Sequence, residues 1–336
     1  MKNRKKYILF IQALVIIVIF SFVLMYNLSR PRVMVLHSYS NHVPEVVAFN
    51  EGFDAIKKDR KNPYVVNSYM NIAMANSKEQ SQGISQKTRA FIREFDPEII
   101  VAVGEEAQHH VMRHYVGDPG IQIVFACIRD AHRYHYDQAP NVTGIMETLP
   151  LDAVKEVLKK TYKKDLKSGE SVAITFLGDK SFRTYVERKH GMAQDWAPFV
   201  LKDFLQVESV DAWKKAVLAL EGEKGVLILS QYHQLDKTPA LLEWTLTHSP
   251  VPVIGLLEEQ FYEGAPLCIS SSAQESGEKA ADYTQSFMHG VAAKDLPISK
   301  TKQFMVGIHE LSVPQKLKIP KSFEVIAQTN QRYVSG

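Results

Sequence analysis

Polar and aromatic side chains stand directly after several short apolar runs of this sequence. They occupy segments 37–40, 104–106, 127–130, 178–181, 231–233 and 258–260. Tyrosine rings in such segments offer flat walls to a small molecule, and carboxylates, histidines and hydroxyls can fix its polar ends. The sequence therefore predicts a ligand-binding site that draws on His37, Ser38, Tyr39, Gly104, Glu105, Cys127, Asp130, Asp179, Ser181, Tyr232 and Glu258.

The acids and tyrosines of this set have a second explanation that the sequence leaves open. Glu105 and Glu258 each begin a predicted helix, where the helix dipole favours a carboxylate whether or not a ligand binds. Tyr39 and Tyr232 could simply pack within their loops. If several acids do face the ligand, we expect it to be an amino acid or amine rather than a phosphate.

Sequence motifs for catalysis are missing. There is no GxSxG elbow, Walker loop or GxGxxG after the first predicted strand. His110 and His114 stand four residues apart, as on one helix face, but no HExxH motif accompanies them. We therefore expect no enzyme activity, no cofactor and no metal site. Cys127 and Cys268 are either two buried unpaired thiols or a disulfide.

The predicted site needs a scaffold of alternating strands and helices. The first series is strand 33–36, helix 43–58, strand 64–69, helix 78–95, strand 99–103, helix 105–115 and strand 121–126. The second series is helix 151–162, strand 171–177, helix 182–194, strand 199–207, helix 209–220, strand 225–230, helix 239–249 and strand 251–256. Such alternation predicts two α/β lobes with parallel sheets flanked by helices. Ligands bind such sheets beyond the carboxyl ends of the strands.

An uncharged segment, 7–29, precedes these lobes. At about 1.5 Å per residue it reaches about 34 Å, enough to span a bilayer core. Lys2, Arg4, Lys5 and Lys6 precede it, which predicts a cytoplasmic N-terminus at 1–6 and an extracytoplasmic domain. We expect one transmembrane anchor in the inner membrane, and a cleaved signal peptide is the alternative.

The charge of the globular part is mildly acidic. The whole chain has a formal net charge of +3. The six basic residues before residue 33 contribute +6, so the remainder of the chain carries −3. Nucleic-acid binding needs a concentrated basic face. We therefore expect no nucleic-acid partner.

Several sequence blocks resemble the substrate-binding proteins of tryptophan-type ABC transporters and related extracytoplasmic sensor domains. They are Phe49-Asn-Glu-Gly-Phe, Asp96-Pro-Glu-Ile-Ile-Val-Ala-Val-Gly, Ile123-Val-Phe-Ala-Cys, Asn141-Val-Thr-Gly-Ile and Val251-Pro-Val-Ile-Gly-Leu-Leu-Glu-Glu. The resemblance covers about 33–323. One departure is Ile128-Arg129-Asp130, where this family often has Thr-Asp-Pro.

This resemblance implies a two-lobed type I periplasmic-binding-protein fold after the N-terminal helix. Lobe I is expected at 33–146 and 267–295, lobe II at 147–266, and a C-terminal segment, 296–336, near the hinge. The implied function is capture of a small organic ligand and its presentation to an inner-membrane ABC permease. The alternative is a ligand-sensing subunit that signals to a membrane sensor kinase or cyclic-nucleotide enzyme.

Overall fold

The computed structural model describes residues 2–72, 75, 77–235, 240–310 and 317–334, without the side chains of 2–10, 28, 137 and 182. The α-helices are α1 (Lys2–Leu28), α2 (Pro44–Phe53), α3 (Lys78–Phe95), α4 (Glu105–His110), α5 (Leu151–Thr161), α6 (Lys163–Lys167), α7 (Phe182–Ala193), α8 (Val210–Leu218), α9 (Ala240–His248), α10 (Glu258–Tyr262), α11 (Ala273–Met288) and α12 (Lys321–Thr329). The β-strands are β1 (Arg32–His37), β2 (Tyr64–Tyr69), β3 (Ile99–Val103), β4 (Gln122–Ile128), β5 (Val142–Met146), β6 (Ala173–Asp179), β7 (Val200–Val207), β8 (Gly225–Leu229), β9 (Val253–Gly255), β10 (Leu267–Ser271), β11 (Ser299–Lys300), β12 (Phe304–His309) and β13 (Tyr333–Val334).

Two sheets organise the chain into two lobes. The sheet of lobe I has the strand order β11-β5-β4-β3-β1-β2, and the sheet of lobe II has the order β13-β12-β10-β9-β8-β6-β7. The described strand pairs are parallel except for β10 with β12, which is antiparallel. Every residue of β3 and β8 is buried, because helices cover both faces of the sheets. The predicted α/β architecture of two lobes is therefore present.

The chain between 267 and 295 divides between the lobes, whereas the resemblance assigned all of it to lobe I. Strand β10 pairs with β9 and β12 in the sheet of lobe II. Helix α11 then packs on lobe I, where Ala280, Ala281 and Phe287 join its core. The C-terminal part is divided as well, since β11 pairs with β5 of lobe I while β12 and β13 extend the sheet of lobe II.

Within the described residues, the chain crosses between the lobes three times, at 147–150, at 272 and at 301–303. These crossings are hydrogen-bonded to one another. The amide of Thr148 donates to Thr301 Oγ1 at 2.9 Å, and Ser271 Oγ donates to the Thr148 carbonyl at 3.1 Å. The buried Glu275 carboxylate accepts the amides of Lys302 and Gln303 at 2.8 and 2.7 Å. The hinge is thus a connected layer rather than separate linkers.

Helices α2 and α11 pack closely in lobe I because each has a glycine at the contact. A Cβ on Gly52 would come within 2.2 Å of the Gln274 carbonyl oxygen, and one on Gly277 within 2.1 Å of the Phe49 carbonyl oxygen. No side chain fits at either position. This contact fixes the C-terminal half of α2 against α11.

Helix α1 contains most of the segment predicted as a transmembrane anchor. Its described large apolar side chains, from Ile11 to Tyr26, are about half or more exposed. Among the residues that the structure describes, no helix is both long enough and apolar enough to cross a membrane.

Candidate functional site

A cleft lies between the lobes at the carboxyl ends of their strands. Its main cavity, of about 120 Å³, is lined by residues from both lobes: Tyr39, Ser40, His42, Val43, Glu45, Asn71, Arg183, Gln231, His233 and Glu259. Two adjoining cavities share Tyr39 and Arg183 with it. Because one water needs only about 10–15 Å³ of such space, the main cavity can hold several waters or a small organic group.

One ion pair crosses the cleft directly. Arg183, in the first turn of α7 in lobe II, donates to both oxygens of Glu45, in the first turn of α2 in lobe I, at 3.0 and 3.1 Å. Burial alone would raise the pKa of Glu45, but the Arg183 guanidinium outweighs it and holds this pKa below its usual value. The pair is therefore charged within the cleft.

A second ion pair between the lobes lies deeper. Arg129, directly after β4, lies 3.3 Å from Glu187 of α7 and 3.2 Å from Glu147 at the first hinge crossing. Glu187 also lies 3.4 Å from Arg183. Three carboxylates and two guanidiniums therefore alternate from the cleft to the hinge, and together they leave one negative charge.

Glu259 and His233 form the lobe II side of the main cavity. Burial, reinforced by the charge of Glu45, raises the pKa of Glu259 to about 8. His233 Nδ1 lies 3.4 Å from Glu259 Oε1, and burial lowers the pKa of His233. At neutral pH this corner of the cavity holds a protonated carboxyl group and a neutral imidazole.

Most of the chain, including cleft residues from both lobes, matches a known protein family. A model of the family described as ABC transporter substrate binding protein matches residues 51–332. The chain belongs to this family. Among curated proteins, none matches it significantly.

Several solved structures of low sequence identity share the fold of this chain. A conserved domain protein from Vibrio cholerae aligns with a TM-score of 0.66 at 16% identity and covers 91% of this chain and 99% of that chain. An ABC domain from Streptococcus pneumoniae in complex with L-Trp aligns with a TM-score of 0.62 at 15% identity, covering 91% and 100%. A substrate-binding protein with adhesive properties from Clostridium difficile, in its ligand-free, open structure, aligns at 0.61 and 15% identity, covering 91% and 99%. The fold class predicted for the lobes is therefore confirmed.

Five of the predicted site residues line the cleft of this substrate-binding protein: Tyr39, Gly104, Glu105, Cys127 and Ser181. Tyr39 faces all three cavities. Gly104 has a φ of +87°, and a Cβ there would come within 2.7 Å of Ser38 Oγ, so only glycine fits. Glu105 accepts the Arg129 amide at 2.9 Å and the Tyr134 hydroxyl at 2.6 Å.

The other predicted residues of lobe I lie behind or beside the cavities. His37 is buried against Tyr69, and burial lowers its pKa to about 4. Ser38 Oγ donates to the Val103 carbonyl and accepts the Ala107 amide, which fixes the start of α4. Asp130 lies 3.6 Å from Lys189 of lobe II, and lines none of the three cavities.

The remaining predicted residues of lobe II have internal partners. Asp179 accepts the amides of Ser181 and Gln234. The Tyr232 hydroxyl donates to Glu263. Glu258 forms a buried ion pair with Arg332 at 2.5 Å, and its neighbour Glu259 faces the cavity instead. These three side chains stabilise lobe II and do not line the cleft.

The site residues absent from the prediction include Glu45, Arg129, Arg183, Gln231, His233 and Glu259. Gln231, His233 and Glu259 lie in segments that the strand order had already marked. Glu45 and Arg183 project from the first turns of helices beyond the strand ends. A first-turn position alone does not identify them, because Glu258 also lies in the first turn of a helix and does not line the cleft.

The sequence also raised the questions of a metal site at the histidines and of a disulfide between the two cysteines. Within the described residues, no group of three or more histidines, cysteines and acids is arranged to hold a metal ion. His110 pairs with Glu106 at 3.2 Å. Cys127 and Cys268 are both free thiols, so the disulfide alternative is not realised.

Proposed function

We propose that this protein captures a small organic ligand bearing an amine or other cationic group and presents it to an ABC permease. The observation that carries the proposal is the cleft itself, whose main cavity takes Tyr39 and Glu45 from lobe I and Arg183, His233 and Glu259 from lobe II. A ligand that contacts both lobes stabilises the closed form by its differential affinity. The proposed role is binding without turnover.

The charges of the cleft support a cationic ligand group. Four carboxyl groups line its cavities: Glu45, Glu105, Glu106 and Glu259. The guanidiniums present, Arg129 and Arg183, are already paired with acids. Glu259 is protonated at neutral pH, and a bound cation gains by favouring its ionised form, whereas the two guanidiniums that a simple anion could bind already have acidic partners.

Relatives of the same fold support a small organic ligand in general. One is in complex with L-Trp, and a solute-binding protein from Burkholderia graminis, with a TM-score of 0.55 at 10% identity, is in complex with D-arabinose. Of these two classes, the carboxylates of this cleft favour the amino acid. The sensory alternative has no support in these comparisons.

We further propose that the binding domain works on the outer side of the inner membrane, held there by the N-terminal helix. The support is the uncharged segment 7–29 after four basic residues, together with the exposed apolar side chains of α1 between Ile11 and Tyr26. A tether would keep the cleft close to a permease. Cleavage at export is the competing outcome.

A thermal-shift screen of the full chain tests the proposed function. The panel contains amino acids, linear amines, nucleosides and sugars, with sulfate and phosphate as anion controls. A true ligand at a hundred times its dissociation constant stabilises by about 2.7 kcal/mol. We expect an amine or amino acid to do so and to be recovered unchanged by mass spectrometry. Tight binding of a simple anion without any binding of amines would contradict the proposal, and recovery of a converted ligand would show turnover.

A further inference from the structure

A basic patch lies at the end of lobe I that faces away from the cleft. Its four members are Arg30, Lys58, Arg60 and Lys61, and they precede the strands β1 and β2. Because the cleft lies at the carboxyl ends of the strands, these residues lie at the opposite end of the sheet. Strand β1 has six residues of about 3.3 Å each, so the patch is about 20 Å from the cleft. The patch therefore takes no part in the proposed ligand site.

The charges of the basic patch have no acidic partner. Among the described residues, no carboxylate lies within ion-pair distance of any of its members, whereas the neighbouring Arg32 pairs with Asp96 at 2.7 Å. Backbone carbonyls accept hydrogen bonds from Arg30 and Lys61, at 2.6 and 2.5 Å, and leave both charges uncompensated. Arg30 is half-buried, and the other three members are exposed. Four unpaired positive charges are thus held close together.

The end of α1 is hydrogen-bonded to the segment that carries the basic patch. Asn62 Nδ2 donates to the Tyr26 hydroxyl at 2.9 Å, and Arg30 donates to the carbonyls of Asn62 and Pro63 at 2.6 and 3.0 Å. Three residues, 29–31, separate α1 from β1. They reach at most about 11 Å when extended, at about 3.6 Å per residue. With α1 in the membrane, the patch lies within about one Debye length, roughly 8–10 Å, of the membrane surface.

A cavity of about 620 Å³ opens between the end of α1 and the basic patch. Its lining includes Tyr26, Arg60, Lys61, Glu98 and Met288. This volume lies within the range of about 300–1,000 Å³ that is usual for small-molecule sites, so a phospholipid headgroup fits. Arginine and lysine are the side chains that bind phosphate groups best. Two such cations against one carboxylate therefore favour an anionic headgroup.

Exposed aromatic rings stand beside the basic patch. Tyr64 is 51% exposed, and the Arg30 guanidinium lies 5.7 Å from its ring centroid. Phe91 is 38% exposed and stacks on Phe95, which also contacts Tyr64. Tyrosine and other amphipathic aromatic side chains are enriched where a protein meets the membrane–water interface. Aromatic rings and unpaired cations at the end of one apolar helix are the combination that suits a headgroup layer.

We infer that the basic patch binds the phosphate groups of anionic phospholipids, and that the cavity between α1 and lobe I receives one headgroup on Arg60 and Lys61. The base of lobe I is then held at the membrane surface. The cleft remains about 20 Å away and uncovered, and lobe II remains free to move. This inference goes beyond ligand capture, and it rests on the proposed membrane tether.

Photo-crosslinking identifies the lipids that contact the basic patch. The full chain, with p-benzoylphenylalanine in place of Tyr64, is reconstituted into vesicles of equal parts phosphatidylglycerol and phosphatidylcholine. Mass spectrometry counts the lipid adducts. We expect adducts of phosphatidylglycerol to exceed those of phosphatidylcholine at least about fivefold, since one basic group near an anionic surface contributes about that factor. The same reagent in place of Val200, in β7 of lobe II and 51% exposed, should give no lipid adduct.

Two matched triple variants test whether the charges of the patch cause this preference. Lys58→Gln, Arg60→Gln and Lys61→Gln together should return the adduct ratio to that of the vesicle. The control removes three exposed lysines from α6 of lobe II, by Lys163→Gln, Lys164→Gln and Lys167→Gln, and should keep the preference. Sodium chloride at about 1 M should abolish it, because the Debye length falls to about 3 Å. Circular dichroism confirms that each variant is folded.

Several results would overturn the inference. Adducts in the ratio of the vesicle lipids, or a preference that survives loss of the patch charges, would refute anionic lipid binding while the tether stands. Lipid adducts at Val200 would show that lobe II faces the membrane. Loss of the protein from the vesicles in an alkaline carbonate wash would refute the tether, and this inference with it. None of these results affects ligand capture, which the thermal-shift screen tests.

Discussion

Arg129 of lobe I and Glu187 of lobe II form an ion pair at 3.3 Å in which the two side chains are 3% and 0% exposed. Glu147, at the first hinge crossing, lies 3.2 Å from the same guanidinium. Charges this deeply buried are tolerated because each has a partner of opposite sign. The contact between the lobes therefore depends on buried charges, each of which would be strongly destabilising without its partner.

The first prediction concerns this buried pair. Arg129→Ala should lower the free energy of unfolding by about 3–5 kcal/mol, because Glu147 is left buried without its counter-ion and Glu187 keeps only Arg183. Lys189→Ala is the control, since Lys189 is 68% exposed and lies 3.6 Å from Asp130 between the same lobes. It should change stability by less than about 1 kcal/mol. Urea unfolding measures both, and equal losses would contradict the prediction.

The second prediction compares two adjacent glutamates of α10. Glu259→Gln should weaken binding of a cationic ligand by at least about tenfold, roughly 1.4 kcal/mol, because the ligand cation can no longer pair with the ionised form of Glu259. Glu258→Gln should leave the dissociation constant unchanged and lower stability, because Arg332 loses its partner. Calorimetric titration with a ligand from the screen measures affinity. Equal effects of the two changes on affinity would place the ligand elsewhere.

The third prediction is a pH dependence from Glu259. Its pKa is raised to about 8 in the folded protein, so the folded state holds a proton that the unfolded chain releases. This contribution to stability is complete at low pH and is lost as the pH rises through about 8. The Glu259→Gln variant has no titrating carboxyl group at this position, so its stability lacks this dependence on pH. Compared with the wild type, the variant should become progressively more stable between about pH 5 and 8.5 in urea unfolding. A difference that stays constant with pH would refute the raised pKa.

The fourth prediction concerns the contact of α2 with α11. Gly277→Ala should destabilise by about 1–3 kcal/mol or more, because the new Cβ would come within 2.1 Å of the Phe49 carbonyl oxygen. Gly83→Ala in α3 is the matched control, since a Cβ there meets nothing within 4 Å. Alanine in a helix interior is favoured over glycine by about 1 kcal/mol. Thermal unfolding should therefore move in opposite directions for the two variants.

The fifth prediction concerns the proposed tether. In cells, the protein should stay in the membrane fraction after an alkaline carbonate wash, and external protease should reach its domain in spheroplasts. An Ile16→Lys and Ile19→Lys variant should be lost from that fraction, because charges within an apolar helix oppose insertion by about 2.5–3.5 kcal/mol each. Release of a wild-type chain shortened at its N-terminus would instead establish a cleaved signal peptide.

Much of the fold could be predicted from the sequence because parallel strands and covering helices leave a strong periodic signal. The assignment of β10 to lobe II could not be predicted from the sequence, because a buried apolar strand has the same pattern in either sheet. Its place depends on pairing with β12, which follows it only after α11 has returned to lobe I. Such long-range pairing leaves no local mark in the sequence.

The candidate site was predictable to the extent that it lies at strand ends. Tyr39 and Glu105 follow strands directly and line the cleft. The choice between Glu258 and Glu259 depended on the direction of one short helix, because successive helical side chains point about 100° apart. Arg183 and Glu45 lie 138 residues apart, and only the approach of the two lobes brings them together.

The three crossings between the lobes are hydrogen-bonded to each other through Thr148, Thr301, Ser271 and Glu275. Displacing one crossing against the others would separate these donors from their acceptors, so the crossings must move together. We therefore expect ligand binding to be expressed as a change in one angle between the lobes. A partner protein needs to sense only that angle, whichever ligand has set it.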